Sequence, residues 1–394
     1  MNSSFENVLA EERLRREAAR LQRSLRWLED SRGTEVVWEG RRLINFASND
    51  YLGLAQDERL KRAAIEATER WGTGAGAARL ITGTLPVHRE LEEAIAKFKG
   101  TAAALAFGSG YAAAVGTICA LVGSEDVVVV DKLVHASLVD GARLSGAKLR
   151  VFRHNDVEDL AKILEWAREK AANARRVLVV TESVFSMDGD CAALREIVEL
   201  KERFGAWLML DEAHGLGVLG PGRRGLAEEL GVANRIEVQM GTLGKAVGSA
   251  GGFIAGSEAL VDHLVNSARS FIFSTAPGPA SVAAARAGLE VIGSEEGESL
   301  RRKLVENVGA LKGSQNLLTS IPTRNDLVTA IVPVILGDEE RALAASDKLK
   351  GAGFLVPAIR YPTVARGQAR LRVTLSAAHS KEQIEALARA LATI

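Results

Sequence analysis

The stretch Ile236-Glu237-Val238-Gln239-Met240-Gly241-Thr242-Leu243-Gly244-Lys245 sets the frame for the chain. Ile236–Met240 reads as a buried strand, and the loop after it presents one lysine ahead of the glycine-rich run Gly248–Gly252. A lysine at a strand end among small residues is partly desolvated, which favours the neutral, nucleophilic amine. Thr242 beside it can offer a hydroxyl and an amide to a phosphate. A second stretch, Trp207-Leu208-Met209-Leu210-Asp211-Glu212-Ala213-His214, is a short apolar strand ending in an acid, with a histidine three residues on.

An acid at one strand end and a lysine at another are the two anchors that pyridoxal 5'-phosphate (PLP) requires. The lysine forms a Schiff base, and the acid keeps the pyridine nitrogen protonated so that the ring accepts electrons. An ion pair at about 4 Å and an effective dielectric of about 20 is worth about 4 kcal/mol, enough to hold that proton. PLP is therefore the cofactor expected from the chemistry.

Outward from these strands, Val127–Val130 and Val177–Thr181 are further continuous apolar runs, separated by helical segments such as 157–172 and Leu194–Phe204. Runs of this kind suit strands buried on both faces of a mostly parallel sheet, whose ligands gather at the carboxyl ends. Ala102–Phe107 reads as another strand, with a turn at Gly108-Ser109-Gly110 and a helix from about Tyr111. The turn and the Ala/Gly content argue against reading the uncharged Thr101–Ser124 as a membrane span. Leu14, Ala18, Leu21, Leu25 and Leu28 fall at helical spacing, so the first thirty residues are expected to form one amphipathic helix. Short β segments follow at Glu35–Trp38 and Leu43–Phe46. Helical patterns from Ala280 to Leu311 lead into a small α/β unit: strand Val328–Ile335, helix Asp338–Lys350, strands Phe354–Pro357 and Ala369–Ser376, and helix Lys381–Leu391. The expected division is 1–48 (helix and β segment), 49–285 (large PLP-binding domain) and 286–394 (small C-terminal domain).

The 394 residues carry 50 basic and 50 acidic side chains, and this zero net charge gives no electrostatic case for nucleic acid or an anionic membrane. Cys119 and Cys191 stand singly, which favours a reducing, cytoplasmic setting and gives no metal site. Gly215-Leu216-Gly217-Val218-Leu219-Gly220 matches GxGxxG, but Pro221-Gly222 follows where a dinucleotide site needs a helix. Gly244-Lys245 is followed by Ala246, and position 239 is Gln, so a Walker A loop is excluded. His135, after the strand Val127–Val130, can stack on a planar ring or serve structure alone. Gly110-Tyr111 opens a helix whose free amides can bind phosphate. Ser186 can tune a cofactor oxygen or cap a turn.

Thr181–Asp190, Asp211–Gly220 and Gly241–Lys245 together resemble the α-oxoamine synthases, which are fold-type I (aspartate aminotransferase-like) PLP enzymes. Arg79–Thr84, Phe152–Asn155 and Ile359–Thr363 fit the same pattern, so the likeness spans nearly the whole chain. It implies that Lys245 carries the cofactor and moves the α-proton, Asp211 pairs with the pyridine nitrogen, His214 contacts the ring hydroxyl and His135 stacks on the ring. Gly110, Tyr111 and Thr242 would hold the phosphate, with Ser186 near the ring oxygen. Arg360 would clamp the amino acid carboxylate, Thr363 and Arg23 would bind substrate, and Asn49 would line the site. Ser274 and Thr275 would reach the cofactor phosphate of a second subunit, implying a homodimer. Ser183, Tyr361 and Gly278 depart from common family residues without removing a catalytic group. Within the family, Ala213 and Gly215 around His214 point to decarboxylative condensation of L-alanine with pimeloyl-CoA, or the acyl carrier protein thioester, in biotin synthesis. A sister acyltransferase using glycine and acetyl-CoA is the alternative. A cofactor-free scaffold subunit is disfavoured because Lys245, Asp211 and His214 are all present.

Overall fold

The computed structural model describes residues 4–19, 21–170, 175–313 and 327–394. Strands β1 (Leu28–Arg32), β2 (Glu35–Trp38) and β3 (Arg41–Asn45) come first. The central sheet comprises β4 (Ala103–Phe107), β5 (Val127–Asp131), β6 (Lys148–Phe152), β7 (Val177–Glu182), β8 (Trp207–Asp211), β9 (Val238–Thr242) and β10 (Gly252–Gly256). Its order is β4-β10-β9-β8-β7-β5-β6. Only β10 runs antiparallel to its neighbours, and the remaining pairs are parallel. Val127–Val130, Leu178–Val180 and Leu208–Leu210 are all buried, as strands covered on both faces must be.

Strands β11 (Ile331–Gly337), β12 (Phe354–Leu355), β13 (Ala358–Ile359) and β14 (Ala369–Thr374) complete the chain. β14 lies between β11 and β13, antiparallel to both, and helix Lys381–Leu391 contributes Ile384, Leu387 and Leu391 to the core. The fold is the α/β architecture of fold-type I PLP transferases, with a mixed central sheet and a smaller C-terminal unit.

Several expectations are corrected. The N-terminal helix runs only Phe5–Ala18 and buries none of its residues. Leu25 is exposed in an extended segment, and Leu28 begins β1. Ile236 lies outside β9, which follows a 3₁₀ turn at Ala233–Arg235. The helical patterns over 280–311 are the helices Pro279–Gly293 and Glu295–Gly313, parted at Ser294. Helix Val157–Lys170 covers most of the expected 157–172 segment, whose last two residues lie outside the described residues. β12 pairs in parallel with β3, so the N-terminal β segment shares a sheet with the C-terminal third of the chain. Among the described residues, no helix is long and apolar enough to cross a membrane, and no cluster of three or more His, Cys, Asp or Glu could hold a metal.

Candidate active site

The parallel strands deliver their last residues to one edge. Glu182 ends β7 opposite Asp211 at the end of β8, and Asp211 in turn pairs with Met240 of β9. Asp211 is buried, and its Oδ1 accepts from the amide of Ala213 at 2.9 Å. Burial pushes its pKa up, opposed by the charges of Lys245 and His135. Lys245, half-buried beyond β9, is shifted the other way: burial lowers its pKa, while Asp211 and Glu182 pull it back up. The lysine, the buried acid and Glu182 thus share one electrostatic environment. Glu182 accepts from the backbone N–H of His135, and burial next to Asp211 holds its carboxyl well above the ordinary range. Because Glu182 sits inside a continuous buried strand, sequence reasoning did not single it out.

Both histidines are shifted toward the neutral form. His214 is buried, and burial with the nearby Lys245 lowers its pKa well below the usual value. The Tyr51 hydroxyl lies 2.5 Å from His214 Nδ1, a hydrogen bond that fixes the orientation of the imidazole ring. The Tyr51 hydroxyl cannot ionise in exchange, since burial pushes its pKa up to about 12. His135 Nδ1 accepts from the Ser137 amide at 3.2 Å, fixing the ring at the start of helix Ala136–Leu144. Burial lowers the pKa of His135 as well.

A small-residue cradle faces these groups. Ser109 caps helix Gly110–Leu121, its Oγ accepting from the Ala112 amide at 3.0 Å. A Cβ on Gly110 would stand 2.6 Å from Thr242 Cγ2, so only glycine lets the helix start approach the end of β9. The Thr242 hydroxyl oxygen is buried without a hydrogen-bond partner among the described residues. Helix-terminal amides beside an orphan hydroxyl suit a phosphate. With the buried acid and the lysine, this set of donors fits PLP. Tyr111 is half-exposed, its hydroxyl donating to Asp140 Oδ2 at 2.9 Å.

The substrate side departs from the sequence reading. Buried Arg372 of β14 donates through Nη1 and Nη2 to Asn49 Oδ1 at 3.1 and 3.2 Å, through Nε to the Ser186 carbonyl at 2.6 Å, and to Thr374 Oγ1 at 2.8 Å. Its charge is felt by Lys245, His214 and Tyr51, so it belongs to the site. Asn49 and Ser186 are thereby brought together around Arg372. Arg360 is half-buried just past β13, and Thr363 is exposed on the same loop, its amide donating to the Arg360 carbonyl at 3.0 Å. The arginine bonded into the group is thus Arg372, on β14. It sits inside the expected strand Ala369–Ser376, which was read as structure. Arg23 is exposed in the segment after the first helix. Ser274 and Thr275 are exposed beside Phe273, with Thr275 bridged to Ala78.

Fold and site together define a fold-type I PLP-dependent transferase. The chain belongs to the aminotransferase class I and II family, whose sequence model matches residues 41–391. It is 49% identical over 374 residues to 8-amino-7-oxononanoate synthase of Geobacter sulfurreducens, covering 95% of this chain and 94% of that one. It is 50% identical over 378 residues to the 8-amino-7-oxononanoate synthase of Anaeromyxobacter dehalogenans strain 2CP-1, covering 96% and 93%. Among solved structures, serine palmitoyltransferase from S. paucimobilis with a bound PLP–myriocin aldimine superposes with a TM-score of 0.90 at 31% identity, covering 98% of this chain and 96% of that one. The 8-amino-7-oxononanoate synthase of Francisella tularensis gives 0.73 at 28% identity, covering 89% and 98%.

Proposed function

We propose that this chain uses PLP to condense L-alanine with pimeloyl-CoA, or the carrier-protein thioester, giving 8-amino-7-oxononanoate, free thiol and carbon dioxide for biotin synthesis. The observation that carries this reading is the mutual charge effect of Lys245 and buried Asp211 at neighbouring strand ends, beside the close approach of Gly110 to Thr242. The relatives that share about half of its residues over nearly its full length support the choice of substrates.

Bound PLP supplies an electron sink that makes the α-hydrogen of an amino acid acidic. Every other task falls to the protein. Lys245, drawn toward its neutral form by burial, holds the cofactor covalently and then takes the α-proton. Asp211 keeps its carboxylate toward the ring nitrogen, fixed by the Ala213 amide. His214, oriented by Tyr51, would meet the ring hydroxyl, and His135 would stack on the ring. Gly110, Tyr111 and Thr242 bind the phosphate. Arg372, oriented by Asn49 and the Ser186 carbonyl, receives the amino acid carboxylate in its planar fork. The α-carbon then forms a bond to the thioester carbonyl carbon, the C–S bond breaks, the carboxylate leaves as carbon dioxide, and the carbon regains a proton.

Exposed Leu80, Ile81 and Phe273 beside Ser274 and Thr275 support a homodimer in which those residues complete the neighbouring site. Arg23 and Thr363 remain the groups proposed to meet the acyl partner. The test is borohydride treatment of protein loaded with PLP, followed by peptide mass mapping. Label on the Lys245 peptide is expected, and label elsewhere or none at all would overturn the reading.

A further inference from the structure

The loop between β7 and helix Leu194–Phe204 is gripped from two sides. From the C-terminal sheet, Arg372 donates to the Ser186 carbonyl at 2.6 Å, and Arg370 donates to Asp188 Oδ1 at 2.5 Å and the Met187 carbonyl at 3.2 Å. Thr329 Oγ1 donates to the Gly189 carbonyl at 2.7 Å. Gly189 adopts φ +70°, and a Cβ there would stand 2.3 Å from the Ile331 carbonyl oxygen, so the two backbones touch.

From the central sheet, the grip comes from residues just after β6. His154 places Nδ1 3.0 Å from Asp131 Oδ1 at the end of β5, and Nε2 2.9 Å from Asp190 Oδ2 in the loop. Its ring stands edge-on to Phe185, with centroids 4.3 Å apart. Asn155 donates through Nδ2 to Asp190 Oδ2 and the Cys191 carbonyl, both at 3.0 Å, while its own amide donates to Asp131 Oδ2 at 2.9 Å. A carboxylate facing each ring nitrogen calls for an N–H on both, which only the imidazolium provides.

We propose that His154 is a positioning residue, an ionic rivet between Asp131 and Asp190 that fixes the Ser186 loop against the turn leading to His135. Burial alone would lower the pKa of His154, and the hydrogen bonds and charges of the two aspartates lift it to about 10. The other ionisable groups around the loop do not compete. The Cys191 thiol is pushed up to about 12 by burial, Asp188 is paired with Arg370, and Arg153 is paired with Asp156 and Asp159. With the rivet in place, the Ser186 carbonyl is a fixed acceptor for Arg372. Without it, the tie from the turn after β6 rests on Asn155, and the loop can shift with the C-terminal sheet. The inference rests on the reading of Arg372 as the carboxylate-binding group.

Two variants, His154→Gln and Asp190→Asn, test it alongside histidine NMR. In cofactor-free wild-type protein with labelled histidine, His154, assigned by its absence in His154→Gln, should keep the imidazolium shift through about pH 9. A midpoint near 6.5 would overturn the rivet. In the loaded enzyme each variant should raise the alanine KM about tenfold while kcat and cofactor Kd stay within about threefold. The double variant should be no worse than either single one. An unchanged KM in folded Asp190→Asn, or a parallel loss of cofactor affinity, would overturn the positioning role even if His154→Gln does not fold. The NMR arm needs neither cofactor nor substrate, so its failure is distinct from a failure of the functional reading.

Discussion

Arg372 Nε donates to the carbonyl of Ser186 at 2.6 Å, joining a strand of the C-terminal sheet to the loop beyond the central one. The same guanidinium holds Asn49 Oδ1, so three distant parts of the chain meet at one cation. That position is why Arg372 is the arginine proposed to read the amino acid.

Arg372→Lys should raise the alanine KM by one to two orders of magnitude, because an ammonium cannot reproduce the planar fork; this size is roughly that of losing a charge-assisted pair. Arg360→Lys should change it by less than about threefold. Steady-state kinetics of the two variants side by side check this, and the reverse ranking would return the clamp to Arg360.

Asp211→Asn should keep the fold and the cofactor but lose turnover by about a hundredfold or more, since a neutral amide cannot hold the ring nitrogen protonated. The check is exchange of the alanine α-proton into deuterated water. Exchange at the wild-type rate would remove Asp211 from its role.

Gly110→Ala tests the phosphate cradle. Its new methyl would press on Thr242 Cγ2, 2.6 Å from the ideal Cβ position. The helix start and β9 must then separate, and cofactor Kd should rise about tenfold or more, equivalent to about 1.4 kcal/mol. Fluorescence titration of PLP into the variant measures this, and an unchanged Kd would place the phosphate elsewhere.

The strand-end acid and lysine were legible because parallel strands buried on both faces leave uninterrupted apolar runs, and Asp211 breaks one of them. β6 was not legible: Lys148 and Arg150 interrupt it at the sheet edge, where one side faces solvent. β10 was hidden by its glycines, which permit a close approach to the start of helix Gly110–Leu121 but weaken any strand pattern. The N-terminal periodicity misled because helical spacing alone does not secure burial; helix Phe5–Ala18 has no buried residue to hold it beyond Ala18. Arg372 and Glu182 escaped notice for a shared reason. Their partners lie on other elements, 323 residues away for Arg372 and Asn49 and 47 for Glu182 and His135, which leaves no local spacing to read.

Two histidines should shape stability in opposite pH ranges. His379 is buried against Phe46, accepts from the Ser376 amide at Nδ1, and donates to the Asn45 carbonyl at Nε2. Burial lowers its pKa to about 4. Between about pH 6.5 and 4 the unfolded chain binds a proton that the folded one refuses, so stability falls with acidification, by about 3 kcal/mol in all. For His154, raised to about 10, the contribution is complete below about pH 6.5 and is lost as the pH climbs toward 10. Urea unfolding across pH should show His379→Gln flattening the acid limb and His154→Gln the alkaline limb; unaltered limbs would contradict the assignments.

The central claim is tested most directly by competition for substrate. Purified enzyme loaded with PLP is given equal alanine and glycine, with pimeloyl-CoA or acetyl-CoA, and the products are identified by mass. One methyl group is worth only about 1–3 kcal/mol of discrimination, so glycine should react poorly without being excluded. The account predicts 8-amino-7-oxononanoate from alanine and pimeloyl-CoA as the dominant product. A higher specificity constant for glycine with acetyl-CoA would contradict it and make the protein a sister acyltransferase.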